Sequence, residues 1–144
     1  MSLFRRSKSS PREPDSSTWD VWNRAATEGG GSHPREGDVA LAALLRLHSQ
    51  AMSGGLLNAV TDSCSAEQVD AALDGYRYFE LHDVASVVAA VRTEAASASE
   101  DELDDLEGEA DTRYAAVVPT DGTLVSAFQT KAAVAPDAFA PTDG

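Results

Sequence analysis

Residues 36–52 read EGDVALAALLRLHSQAM, and this stretch decides the fold class. Leu41, Leu44, Leu45, His48 and Met52 fall at i, i+3, i+4, i+7 and i+11, the spacing of a buried stripe on an amphipathic helix. The helix is predicted from Glu36 or Asp38 to Met52, with Gly54-Gly55 interrupting the chain after it.

Working outward, the same period recurs. Leu56, Leu57 and Val60 make a short apolar helix ending near Asp62, and Ser65-Ala66-Glu67-Gln68 is a capping box for a helix with Val69, Ala72, Leu73 and Tyr76 inside. After a break at Phe79 to His82, Val84, Val87, Val88, Val91 and Ala95 repeat the pattern; valine favours strands, but the spacing is helical and long. Ser99-Glu100-Asp101-Glu102 is a further capping box, and Leu103, Leu106, Ala110, Tyr114 and Val117 form the seam behind it, ended by Pro119-Thr120-Asp121-Gly122. A segment around Leu124, Val125 and Phe128 follows, and past Pro136 only Phe139 offers an anchor. On the other side, Ser17-Thr18-Trp19-Asp20 resembles a capping box for a helix carrying Trp19, Trp22 and Ala26 and stopped by Gly29-Gly30-Gly31. The two tryptophans read as docking onto the domain, with a partner-binding face as the alternative. The fold expected is all-α: a single compact domain of six or seven short helices over residues 18–140, preceded by a flexible basic tail, residues 1–17, holding Arg5, Arg6, Lys8 and Arg12.

Composition narrows the function. The chain has 24 Asp+Glu against 11 Lys+Arg, a net charge of -13, and an ordinary apolar fraction of 42%. The apolar fraction argues for a folded core, and the charge argues against direct grip on nucleic acid or on an anionic membrane, both of which repel a polyanion. From Thr18 onward the balance is 7 basic to 22 acidic residues. Cys64 is the only cysteine, so no internal disulfide forms and a cytoplasmic setting is expected. The opening MSLFRRSKSSPREP is not followed by the apolar run of a secretion signal, and no run is long enough to span a membrane.

Residues that carry chemistry are few. His33, His48 and His82 share no helical face, so no zinc helix is expected; His33 lies in the glycine linker, and His48 on the apolar stripe reads as a hydrogen-bonded core histidine. A Cys64 thiol paired with His48 or His82 has no supporting pattern. Gly29-Gly30-Gly31 lacks the strand before it and the Lys-Ser/Thr after it that a phosphate loop needs, and Asp101 to Asp111 lacks the Asp-x-Asp-x-Asp-Gly loop for calcium. No cofactor, metal or catalytic residue is predicted, and the protein is expected not to be an enzyme.

One segment stands above this background. Between residues 94 and 111 lie Glu94, Glu100, Asp101, Glu102, Asp104, Asp105, Glu107, Glu109 and Asp111, nine carboxylates with no basic residue among them. As one helix this segment would span roughly 26 Å, about one charge per 3 Å, comparable to a single DNA strand at about 3.4 Å. These nine are the predicted partner-binding residues; the competing reading is a solvated face whose first-turn acids serve the helix dipole.

The stretch Leu47-His48-Ser49-Gln50-Ala51-Met52-Ser53-Gly54-Gly55-Leu56-Leu57-Asn58-Ala59-Val60-Thr61-Asp62-Ser63, with the Val69 to Tyr76 helix and the Val-rich helix after it, resembles the bacterial DNA-mimic protein domain family. Leu103-Asp104-Asp105-Leu106 to Tyr114 and Ala135-Pro136-Asp137-Ala138-Phe139 resemble its acidic Leu-Asp…Tyr and terminal Pro-x-x-Phe elements, so the likeness runs over 46–139. Ser53 stands where the family has Asn before the glycine pair, and Leu56, Leu57, Ala59 and Val60 stand where it has aromatic residues, the marks of a distant member with a smaller core. The resemblance implies an all-α fold and carboxylates presented in place of DNA phosphates to a basic, DNA-binding regulator. The expected function is thus a non-enzymatic acidic protein engaging a basic protein partner. The alternatives are an immunity- or adaptor-type protein that binds through an apolar helix face, or an enzyme using His48, Cys64 or a carboxylate pair.

Overall fold

The computed structural model describes residues 16–142, so the basic tail lies, up to residue 15, outside the described residues. Within them the chain forms seven α-helices and no strand: α1 (Ser16–Glu28), α2 (Glu36–Gly54), α3 (Leu56–Asn58), α4 (Ala66–Tyr78), α5 (His82–Ser97), α6 (Glu100–Val117) and α7 (Gly122–Val134). A π-helical turn, Ala59–Ser63, extends α3, and a 3-10 turn, Pro136–Ala138, follows α7.

Helix α2 is the axis of the domain. Leu41, Leu44, Leu45 and His48 are buried as the spacing requires, but Met52 is 65% exposed. In the last turns the buried face rotates to Leu47 and Ala51, because α3 and its π-turn fold back against that side of α2. The fold-back is made at Gly55, whose φ of 92° is strained for any side chain. The most extensive packing among the described residues is α2 on α4. It is close because of Gly75, where a Cβ would strike the Ala40 carbonyl oxygen.

Both capping boxes inside the domain form. Ser65 Oγ accepts from the Gln68 N–H at 3.1 Å while the Ser65 N–H donates to Gln68 Oε1, and Ser99 with Glu102 repeats the exchange at the start of α6. The third fails: α1 is already helical at Ser16, which puts Ser17 inside the helix and not at its cap. Between α4 and α5 the Glu80 N–H bonds to the Arg77 carbonyl and the Leu81 N–H to the Tyr76 carbonyl, with Glu80 at φ 65°. This is a Schellman turn, built on a glutamate where glycine is usual.

Beyond Pro136 the structure departs furthest from expectation. Residues 135–142 form a strap across the start of α2, held by much more than Phe139. Asp38, fully buried, accepts from the Ala140 N–H at 2.7 Å, from the Arg35 N–H at 3.0 Å and from Arg24 Nη2 at 3.0 Å. Arg24 also donates to the Ala140 and Pro141 carbonyls, and Arg35 to those of Asp137 and Phe139. Phe139 then closes an aromatic cluster with Phe79 and Phe128. A Cβ at Gly37 would meet the Ala138 carbonyl and the Phe139 ring, so only glycine lets the strap lie this close.

Candidate functional site: the acidic face of helix α6

The nine predicted carboxylates do not share one helix. Ala98 is extended, with φ -83° and ψ 145°, and ends α5; Ser99 then starts α6. Glu94 therefore stands on α5 and the other eight on α6, and the single long ridge is replaced by a helical hairpin. On α6 alone the charge is denser. Glu100 to Asp111 covers roughly 17 Å of axis, and its eight carboxylates amount to about one charge per 2 Å, near the roughly 1.7 Å of duplex DNA.

Helical spacing sorts the eight around the axis. Leu106, Ala110 and Tyr114 are buried and fix the inner face. Glu100, Asp104, Glu107 and Asp111, at i, i+4, i+7 and i+11, run down one flank. Glu102, Asp105 and Glu109 run down the other, toward α5, and with Glu94 they line a groove of about 350 Å³. Asp101 lies between the flanks, on the outermost face.

Their roles differ. Glu94 takes both Arg113 Nη atoms at 2.9 Å, and this bidentate pair holds its carboxyl below the usual range and raises the guanidinium. Glu109 lies 3.8 Å from the same arginine. Glu102 is lowered first by the Ser99 N–H and then by its hydroxyl, so it serves the cap. Asp111 accepts the Leu56 N–H at 2.9 Å, capping α3. Glu100, Asp101, Asp104, Asp105 and Glu107 are exposed and have no cation partner among the described residues. Four of the nine thus have hydrogen-bond or ion-pair partners that charge counting could not reveal, and five do not among the described residues.

The residues considered for catalysis are otherwise engaged. His48 is buried: Asp121 Oδ1 lies 2.9 Å from Nε2, and Tyr114 Oη lies 2.8 Å from Nδ1. A carboxylate only accepts, so Nε2–H donates to Asp121, and in the neutral ring Nδ1 then accepts from the Tyr114 hydroxyl. Tyr76 Oη in turn donates to Tyr114 Oη at 2.8 Å. The chain satisfies the core histidine completely and leaves neither ring nitrogen free. Burial raises the Tyr114 phenol to about 12 and the Tyr76 phenol well above its usual value. Cys64 is buried and its thiol is pushed up by burial, with Arg46 partly opposing, so at neutral pH it is a protonated and poor nucleophile. His33 is exposed in the linker, and His82 Nε2 lies 3.3 Å from Glu80 Oε1. Among the described residues no three His, Cys, Asp or Glu side chains are grouped to hold a metal, and no helix is long and apolar enough to cross a membrane.

Trp22 packs on Phe128 at 5.6 Å, as docking onto the domain requires, while Trp19 stands edge-on to Trp22 and stays 37% exposed. No protein-family model, no curated protein and no solved structure matches the chain.

Proposed function

We propose that the protein is a non-enzymatic binding protein whose α6 face, centred on Glu100, Asp101, Asp104, Asp105 and Glu107, engages a basic partner of the kind that binds DNA. One observation carries the reading: five exposed carboxylates with no cation partner among the described residues stand on one helix at a spacing close to that of duplex phosphates. An ordinary solvated helix face mixes both signs, because i, i+4 pairs of opposite charge stabilise it. On α6 the only basic residue is Arg113, and it is turned to Glu94. A preformed array presents its charge without an ordering cost and attracts a basic surface before contact. The resemblance to the DNA-mimic domain family supports the same partner class.

The test is competition. The immobilised chain is exposed to proteins eluted from heparin, and the bound fraction is challenged with duplex DNA and with rising salt. Retained proteins should leave with DNA or by about 0.5 M salt, where screening is within a few ångströms. The variant Asp101→Asn/Asp104→Asn/Asp105→Asn/Glu107→Gln, which spares the structural acids Glu94, Glu102, Glu109 and Asp111, should capture none of them. Undiminished capture by that variant sinks the proposal.

A further inference from the structure

A cavity of about 490 Å³ lies away from α6's acidic face, between α1, α2 and the α6–α7 turn. Its size is that of an ordinary small-ligand site. On α2 it is lined by Ala42, Leu45, Arg46 and Ser49 at i, i+3, i+4 and i+7, with Gln50 beside them. Trp22 and Ala25 of α1 and Leu124 of α7 complete the apolar part, and the Asp121–His48 pair forms the end.

Arg46 is what distinguishes this cavity. Every other arginine or lysine among the described residues has a partner: Arg24 has Asp38, Arg35 the strap carbonyls, Arg77 Asp74, Arg92 Asp70, Arg113 Glu94, and Lys131 the Tyr78 ring. Arg46 has no carboxylate, carbonyl or ring partner there, in a chain with more than twice as many acids as bases. The Trp22 indole N–H, the Gln50 amide and the Ser49 hydroxyl, also in the lining, are likewise unengaged among the described residues. The histidine has no free nitrogen, and Asp121 has one oxygen held by it. The unused hydrogen-bonding capacity is therefore dominated by donors around one guanidinium, beside a half-buried indole.

We propose that this cleft binds a small planar organic anion, its phosphate or carboxylate paired with Arg46 and its ring against Trp22. A guanidinium recognises such groups through two parallel N–H···O bonds, and its fixed fork makes lysine a poor substitute. The net charge of the protein repels an anion at long range, so binding depends on the local donors and is set by Arg46. The site is independent of the α6 reading and stands or falls separately.

Fluorescence tests it in a Trp19→Phe background, where Trp22 is the only indole. Phenyl phosphate and benzoate, titrated at physiological salt, should give a saturable change in Trp22 emission, and uncharged phenol should not. Arg46→Gln should weaken the anions about tenfold or more, the scale of one charge-assisted contact, while Arg77→Gln leaves them unchanged. Because Arg46 is exposed, the variant keeps its fold, which circular dichroism checks. No saturable change with either anion, or equal affinity in Arg46→Gln, overturns the proposal; equal binding of phenol overturns the anion preference on which it rests.

Discussion

Replacing Asp38 by alanine should be among the most damaging single changes in the domain, although no apolar contact is lost. The carboxylate is fully buried and accepts three hydrogen bonds, two from backbone N–H groups and one from Arg24, whose side chain is only 17% exposed. Removing one partner of a buried pair leaves the other charge uncompensated, which costs about 3–5 kcal/mol. The orphaned Arg35 and Ala140 N–H groups add to this where water cannot reach them. Against a whole-domain stability of about 5–15 kcal/mol, Asp38→Ala should lower Tm by roughly 10–20 °C or leave the chain partly unfolded at ambient temperature. Asp38→Asn keeps the shape but sets an NH2 group against a donor, so it should fall between. Urea unfolding followed by circular dichroism and tryptophan emission gives the free energies, and protease cutting within residues 135–142 reports release of the strap. The loss should persist in 1 M salt, where exposed pairs fade. A double-mutant cycle with Arg24→Ala should show strong coupling. Loss below about 1 kcal/mol for Asp38→Ala, or additivity with Arg24→Ala, would refute the account of the strap as clamped by this carboxylate.

Alkaline titration offers a direct reading of the core. All three tyrosines are raised, Tyr76 well above its usual value by burial and Tyr78 and Tyr114 to about 12, so the folded chain should show little phenolate absorbance at pH 11, while the urea-unfolded chain titrates near 10. The folded state holds these protons more tightly, so their contribution to stability is complete below pH 10 and is lost as pH rises toward 12; a folded midpoint near 10 would contradict the buried Tyr76–Tyr114 pair. Glu94 and Glu102 are lowered, so what they contribute is present above the ordinary glutamate pKa and lost as pH falls through their folded values, a loss that acid titrations of Glu94→Gln and Glu102→Gln should abolish. Two glycine substitutions should differ in sign: Gly108→Ala, with nothing within 4 Å of the added Cβ, should stabilise by about 0.5–1 kcal/mol, whereas Gly75→Ala, against the Ala40 carbonyl, should destabilise by about 1–3 kcal/mol. Thermal melts of the pair decide it, and equal shifts would deny the close α2–α4 approach. Neutralising Asp101, Asp104, Asp105 and Glu107 together should raise Tm at low salt and less so at high salt, and a lowered Tm would mean that these acids stabilise the domain.

Much of the fold was legible because its signals are local. The i, i+3, i+4 stripe of α2, the Ser65 and Ser99 caps and the glycine stop after Glu28 each act within a turn or two of helix, and each occurs where the residues place it. What escaped was non-local. Asp38 reads as one more acid near a helix start, and only the return of the chain from Ala140, 102 residues later, makes it the centre of a clamp. Glu80 gives no sign of a left-handed turn, since glycine normally marks one. Met52 satisfies the stripe but lies where α2 has turned its other face inward. At the acidic segment, composition located the charge, but Glu94 and Asp111 acquire their structural roles from Arg113 and Leu56 on other elements.

The energy of the α6 carboxylates separates a binding face from a merely solvated one. Acids in a first turn are favourable, so Glu100, Asp101 and Glu102 need no functional reason. Asp104, Asp105 and Glu107 lie beyond it. The i, i+4 repulsions of Glu100 with Asp104, Asp101 with Asp105, Asp105 with Glu109 and Glu107 with Asp111 together cost about 1–2 kcal/mol at low ionic strength. A face serving solubility alone can intersperse both signs of charge and avoid that cost. Elsewhere the same chain pairs some of its charges, as in Arg92 with Asp70 and Arg24 with Asp38, while Asp20, Glu28, Asp62 and Glu67 stand singly with no cation partner among the described residues. What sets α6 apart is that its acids without a cation partner among the described residues stand together on one helix, and a basic partner would relieve their repulsion on binding, converting a cost in the free protein into affinity for the complex.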